Sequence, residues 1–212
     1  MRNSFRLFSS GLILLIFFAI LSFLVSLGIF VKTDLTLTLF FQNILPEFLI
    51  TPFSVFSILG SAEFTGVLLL IIMLLFPILR KIYIFVLFVI LGVIELVLKS
   101  TVSQIPPPIE LLKTNIHLGL PSGEVSGGFF AYPSGHSGRT AFISIILIFA
   151  IWLSPKISVK TKYTLIIAVI IFDILLFVSR VYLGEHWTTD VVGGILLGIS
   201  LATITVLLIR KN

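Results

Sequence analysis

An arginine, a histidine six residues later and an aspartate four beyond that stand in residues 179–190: Ser-Arg-Val-Tyr-Leu-Gly-Glu-His-Trp-Thr-Thr-Asp. These residue types make up a phosphoryl-transfer site: a cation for the phosphate, an imidazole able to attack, and a carboxylate to orient it. They sit at the mouth of an apolar run, where ionisable groups are costly and usually functional. If a helix begins near His186, Asp190 shares its face. Asp190 then accepts from one imidazole N–H and fixes the tautomer, leaving the other nitrogen free to attack. The aspartate of the serine-hydrolase triad plays this part, here with the histidine itself as nucleophile. Arg180 is the phosphate clamp, bidentate where geometry allows. The plainer alternative for the dyad is an interfacial His–Asp pair packed under Trp187.

A second constellation is Pro133-Ser134-Gly135-His136, which opens another apolar run. Ser134 is a good N-cap. Gly135 lets the backbone approach an anion closely, and the first-turn N–H groups with the helix dipole favour negative charge. His136 is then placed to give a proton to a leaving oxygen. The plainer alternative is a capped helix with an incidental histidine. A similar string, Pro121-Ser122-Gly123-Glu124, ends in Glu and precedes no apolar run, so it reads as a turn.

The elements that position these residues are membrane helices. The chain has 212 residues, 58% hydrophobic and 11% charged, with a mean hydropathy of +1.24. Several runs approach or exceed the roughly 20 apolar residues that span a bilayer. The expected fold is all-α: a single membrane-embedded domain over 1–212, a six-transmembrane-helix bundle. Spans are expected near 11–31, 56–79, 82–98, 138–153, 163–181 and 189–209. The first run is too long for a signal peptide and no A-x-A-like cleavage site follows it, so a retained anchor is expected. Residues 32–55 read as an amphipathic segment at the outer interface, with an ordinary external loop as the alternative. There is no cysteine and only three histidines, so a metal site is poorly provisioned and none is expected.

Placing both termini in the cytoplasm puts nine basic residues inside: Arg2, Arg6, Arg80, Lys81, Lys156, Lys160, Lys162, Arg210 and Lys211. Five fall outside: Lys32, Lys99, Lys113, Arg139 and Arg180. The positive-inside rule favours this orientation. The net charge of +5 therefore speaks of topology rather than nucleic acid. Lys99, the 133–136 string and residues 180–190 all fall at outer helix ends and are expected to converge. The Pro- and Gly-rich external loop of about 99–137 is expected to carry part of the site.

Pro133-Ser134-Gly135-His136, with Ser179-Arg180, His186 and Asp190 at this spacing, resembles the type-2 phosphatidic acid phosphatase family. Lys99 stands where that family's first motif has its lysine. The motifs cover the second half of the chain, and the six-span layout extends the likeness over its length. The resemblance implies that His186 forms a phosphohistidine, that Asp190 polarises it and that His136 protonates the leaving group. It also implies that Lys99, Ser134, the Gly135 amide and Arg180 hold the phosphoryl oxygens, that no metal or other cofactor is needed, and that water hydrolyses the phosphoenzyme.

One position departs from the pattern: the family's first motif places an arginine where this chain has Pro106. Loss of one preorganised oxyanion donor typically costs about 100- to 1000-fold in rate. Arg139, three residues after His136, is the first candidate to compensate, and Lys113 the second; the alternative is that Arg139 only meets lipid headgroups. Glu95, four residues before Lys99, is expected to steady it. Asp173 and Glu63 read as interior hydrogen-bonding groups, and His117 as a solvated loop residue.

The reading is a multi-pass cell-membrane phosphatase facing the external side. It acts on a lipid phosphate or diphosphate of the phosphatidic acid, phosphatidylglycerol phosphate or undecaprenyl diphosphate type. An outward site favours the last of these in a bacterial host. The alternatives are a lipid phosphotransferase using the same intermediate and a catalytically weakened lipid-binding protein. The partners expected are the bilayer and its lipid phosphate, not nucleic acid; nothing in the sequence sets an oligomeric state.

Overall fold

Backbone polar groups inside a bilayer must be satisfied within the chain, so apolar runs of this length become helices. The computed structural model describes residues 2–116, 118–119 and 130–211, and within them it is all helix and loop. The helices are α1 (Arg2–Ser26), α2 (Val31–Ile44), α3 (Ile50–Leu59), α4 (Ala62–Leu75), α5 (Ile82–Thr101), α6 (Gly135–Leu153), α7 (Val159–Tyr182) and α8 (Thr188–Lys211). His117 and the Pro121–Glu124 string lie outside the described residues. Among the described residues, five helices are long and apolar enough to cross a membrane, and six spans result if α2 and residues 47–59, bent by 104° at Leu45–Pro46, count as one broken span.

The expected span at 56–79 is not one helix. It breaks after α3 at Gly60–Ser61, where Ser61 is extended and its Oγ caps α4 by accepting from the Phe64 amide at 3.3 Å. A side chain at Gly60 would press on the ring of His136, so the break brings the chain close against a candidate site residue. Residues 31–44 form a helix rather than a loop. This helix buries two polar residues, Asp34 and Thr38, and leaves Leu35, Leu39 and Phe40 exposed.

Two helices form the centre. The apolar windows of α6 and α8 are 67% buried, against 17–22% for those of α1, α5 and α7, so the latter face the lipid. Composition explains the division. Lipid offers no hydrophobic drive between helices, so close packing relies on small residues. On α8, Gly194 and Gly198 are a G-x-x-x-G pair. A Cβ on Gly194 would overlap the Ser134 carbonyl, and one on Gly198 the Gly138 carbonyl of α6. The outer helices present residues such as Ile13, Phe17, Phe23, Val93 and Ile171 outward. Gly194→Ala is expected to destabilise the fold by about 1–3 kcal/mol, since a backbone atom must move to make room. The check is the melting temperature of the purified protein in detergent; an unchanged value would contradict the close crossing.

Candidate active site

The expected convergence occurs at one end of the bundle. The last two turns of α5 carry Glu95 and Lys99, the first turns of α6 carry His136 and Arg139, and the last turn of α7 carries Arg180. The segment joining α7 to α8 carries Glu185 and His186, and the first turn of α8 carries Asp190. Backbone bonds lock the parts together. The Ser134 amide donates to the Asp190 carbonyl at 2.9 Å, joining the two motifs directly. The Phe130 amide donates to the Lys99 carbonyl at 3.0 Å, returning the loop to the end of α5.

Local sequence explains each placement. Ser134 caps α6, its Oγ lying 3.5 Å from the Ser137 amide and 3.1 Å from the Ser137 hydroxyl. Gly135 is the first helical residue, and a Cβ there would fall on the Glu95 carboxylate. Gly184, at φ +69°, makes the turn after α7 and lies against the Leu111 backbone, a conformation that suits glycine. The Glu185 and His186 amides both donate to the Arg180 carbonyl, at 3.1 and 3.2 Å, so the turn is anchored to the residue beside which it sets His186.

His186 and Asp190 meet as expected, with Nδ1 to Oδ2 at 3.2 Å, although α8 begins two residues after His186. The same Oδ2 accepts from the Trp187 amide at 2.9 Å, so the aspartate also caps the helix it starts. Burial, and then the charges of Arg180, Lys99 and Arg139, hold the His186 imidazole well below its ordinary value of 6.5; a backbone hydrogen bond at Ala131 pushes the other way and is the smallest cause. A neutral imidazole with its Nδ1–H on a carboxylate carries its lone pair on Nε2. His136 is buried and within electrostatic reach of Arg180, Arg139, His186 and Lys99.

The cations are paired with carboxylates. Glu95 binds Lys99 through Oε1 at 3.0 Å and Arg139 through Oε2 at 2.5 Å. Arg180 contacts Glu185 and the hydroxyl of Ser57, and Glu185 accepts from Ser57 at 2.9 Å and from Thr114. The Nε–H groups of Arg139 and Arg180 are buried and have no hydrogen-bond partner among the described residues. Lys99 is the most open of the three cations, with 22% of its side chain exposed.

All eight residues singled out from the sequence therefore lie at this end: Lys99, Ser134, Gly135, His136, Arg139, Arg180, His186 and Asp190. Lys113 does not join them; its ammonium lies over the Tyr182 ring at 5.1 Å. Asp173 accepts from Ser144 at 2.7 Å, an interior link between α7 and α6. The sequence reading missed three contributors. Asp34 of α2 accepts from the Thr189 amide at 3.0 Å, the Thr189 hydroxyl at 2.6 Å and Gln104 at 3.2 Å, and so steadies the start of α8 from another helix. Ser57 and Glu185 hold Arg180. An acid directly before His186 was a visible signal. Asp34 and Ser57 had none beyond being polar in apolar segments.

A polytopic helical bundle with two histidines, a buried carboxylate and three cations gathered at one end defines the class of protein. Residues 80–212 match the PAP2 superfamily, and the chain belongs to it. It is 44% identical over 73 residues to phosphatidylglycerophosphatase B of Bacillus subtilis (strain 168), a stretch covering 34% of this chain and 36% of that protein. The matched segment thus spans about a third of the relative's length. The fold is similar to the crystal structure of the PAP2-type phosphatidylglycerolphosphate phosphatase from Bacillus subtilis: TM-score 0.79, 23% identity, 95% of this chain and 96% of that one. It is also similar to LpxE of Aquifex aeolicus, with a TM-score of 0.57 and 21% identity over 81% and 93% of the two chains.

Proposed function

We propose that the chain is an integral membrane phosphatase that hydrolyses a lipid phosphate or diphosphate through a phosphohistidine on His186. The observation that carries this reading is the His186 Nδ1–Asp190 Oδ2 pair at 3.2 Å, set among the charges of Arg180, Lys99 and Arg139. The 1–212 chain acts as one domain. His186 Nε2 attacks phosphorus while the bond to the leaving oxygen breaks. His136 gives that oxygen a proton, so the alcohol or phosphate leaves neutralised. Water then attacks the phosphohistidine, loses its proton to His136 and releases inorganic phosphate. Lys99, Arg139, Arg180 and the first-turn amides of α6 at Gly135 stabilise the charge on the equatorial oxygens, with Ser134 fixing the start of that helix. No metal enters the scheme.

A lipid substrate is supported by an apolar cavity of about 450 Å3 bounded by α3, α4, α6 and α7. It begins at Thr140, the residue after Arg139, and follows α6 through Ile143 and Leu147 to Ile151. That stretch of helix is roughly 16 Å long, the length of much of an acyl or prenyl chain. The named activity of the Bacillus subtilis relatives makes phosphatidylglycerol phosphate the first lipid to try. Phosphatidic acid and undecaprenyl diphosphate follow. The distribution of basic residues supports a site on the external face with both termini in the cytoplasm.

The test is phosphate release by purified protein in detergent from this panel, beside His186→Ala. Wild-type release no greater than the mutant's on every lipid would sink the proposal. Arg139→Ala bears on Pro106: with Arg139 supplying the missing charge, kcat/KM is expected to fall at least about tenfold. Unchanged kinetics would remove Arg139 from the phosphate site.

A further inference from the structure

We infer that Glu95 occupies the phosphoryl subsite in the substrate-free protein, as an internal anion that phosphate must displace. The inference deepens the proposed function and rests on it. Three observations place the carboxylate there. Its two oxygens bridge Lys99 at 3.0 Å and Arg139 at 2.5 Å, much as two phosphoryl oxygens would. It lies over Gly135, where even a methyl group would collide with it, so it covers the bare first residue of α6 at the positive end of the helix. It is also near enough to Arg180 to act on that charge. An anion at the start of α6 with cations on either side fills the place that Gly135, Lys99, Arg139 and Arg180 offer to substrate.

Glu185 differs in kind. Two uncharged hydroxyls, Ser57 and Thr114, hold it in addition to Arg180. Glu95 has only the two cations as hydrogen-bond and ion-pair partners among the described residues. A phosphate dianion carries more charge than a carboxylate and can take both cations together with the free Arg139 Nε–H. Until then Glu95 keeps two cations from standing unpaired in a buried site, which is strongly unfavourable. After hydrolysis it competes with the product for the same cations. Glu95 thereby sets phosphate affinity and favours product release. A carboxylate that merely steadied Lys99 and Arg139 would have the opposite effect, since its loss would loosen both and weaken anion binding.

The probe is inorganic phosphate, read both as protection against thermal unfolding of the purified protein and as product inhibition. Glu95→Gln is expected to bind phosphate at least about tenfold more tightly than wild type, because a repelling charge is gone. Glu95→Asp keeps the charge but is one methylene too short to reach over Gly135, and is expected to fall between. Phosphate affinity unchanged or weaker in a folded Glu95→Gln overturns the inference and leaves the phosphatase reading standing. Should Glu95→Gln not fold, Glu95→Asp decides: tighter binding than wild type supports the inference, equal or weaker binding overturns it. Failure of wild type and both variants alike to bind phosphate overturns the inference together with the phosphate site on which it rests.

Discussion

His186→Ala is expected to lose turnover by about 10⁴-fold or more on whichever lipid the wild type accepts, while keeping its melting temperature within a few degrees. In the proposed mechanism the imidazole supplies the bond to phosphorus, and among the described residues nearby only His136 has a comparable ring. His136 opens α6 and has no carboxylate hydrogen-bonded to it among the described residues. The fold does not depend on the ring. The turn is held by Gly184 at φ +69° and by the Glu185 and His186 amides on the Arg180 carbonyl, all of them backbone features. A covalent readout sharpens the test. Wild-type protein given lipid with labelled phosphate and quenched in alkali, where phosphohistidine survives, should carry label on His186. The alanine variant should carry none. Label retained by the variant would mean that another residue is the nucleophile.

Asp190→Asn should cost nearly as much, about 10³- to 10⁴-fold in kcat, by a different route. Asp190 Oδ2 accepts both from His186 Nδ1 at 3.2 Å and from the Trp187 amide at 2.9 Å. An asparagine oxygen at the Oδ2 position keeps both bonds but carries no charge, so it no longer stabilises the positive charge that develops on the ring as Nε2 attacks in the proposed mechanism. The start of α8 survives, because the Asp34 carboxylate still accepts from the Thr189 amide and the residue 190 carbonyl still accepts from Ser134. The loss should therefore appear in kcat far more than in KM or in stability. A variant with kcat within tenfold of wild type would show that the Asp190 charge is not needed for turnover.

The candidate site could be read in the sequence to the extent that chemistry demanded particular residue types at short spacing. His186 and Asp190 are four apart and meet on that account alone. Glu95 and Lys99 are four apart on one helix and pair at 3.0 Å. Ser134 before an apolar run is a helix cap wherever it occurs. The spans at α1, α5, α6, α7 and α8 followed from apolar length, with ends shifted by a few residues except at α1, which runs Arg2–Ser26 where 11–31 was expected. The span expected at 56–79 failed because a window of apolar residues does not reveal a break at Gly60–Ser61. Such a break is stable only because other helices cover it.

Sequence alone determined that the chain is a helical membrane protein, and it singled out the histidines, cations and carboxylate proposed to carry the chemistry. Hydrophobic length and local spacing along one chain suffice for both. Tertiary structure alone decided how the charges are shared. Arg139 and Lys99 are joined by one carboxylate, Arg180 is held by Glu185, Ser57 lies 123 residues from Arg180, and Asp34 lies 155 residues from Thr189. These contacts depend on which helices cross closely, and that is set by small residues such as Gly194 and Gly198 meeting the backbone of α6. A pairing between distant residues leaves no period and no spacing in a single sequence, so only packing can reveal it.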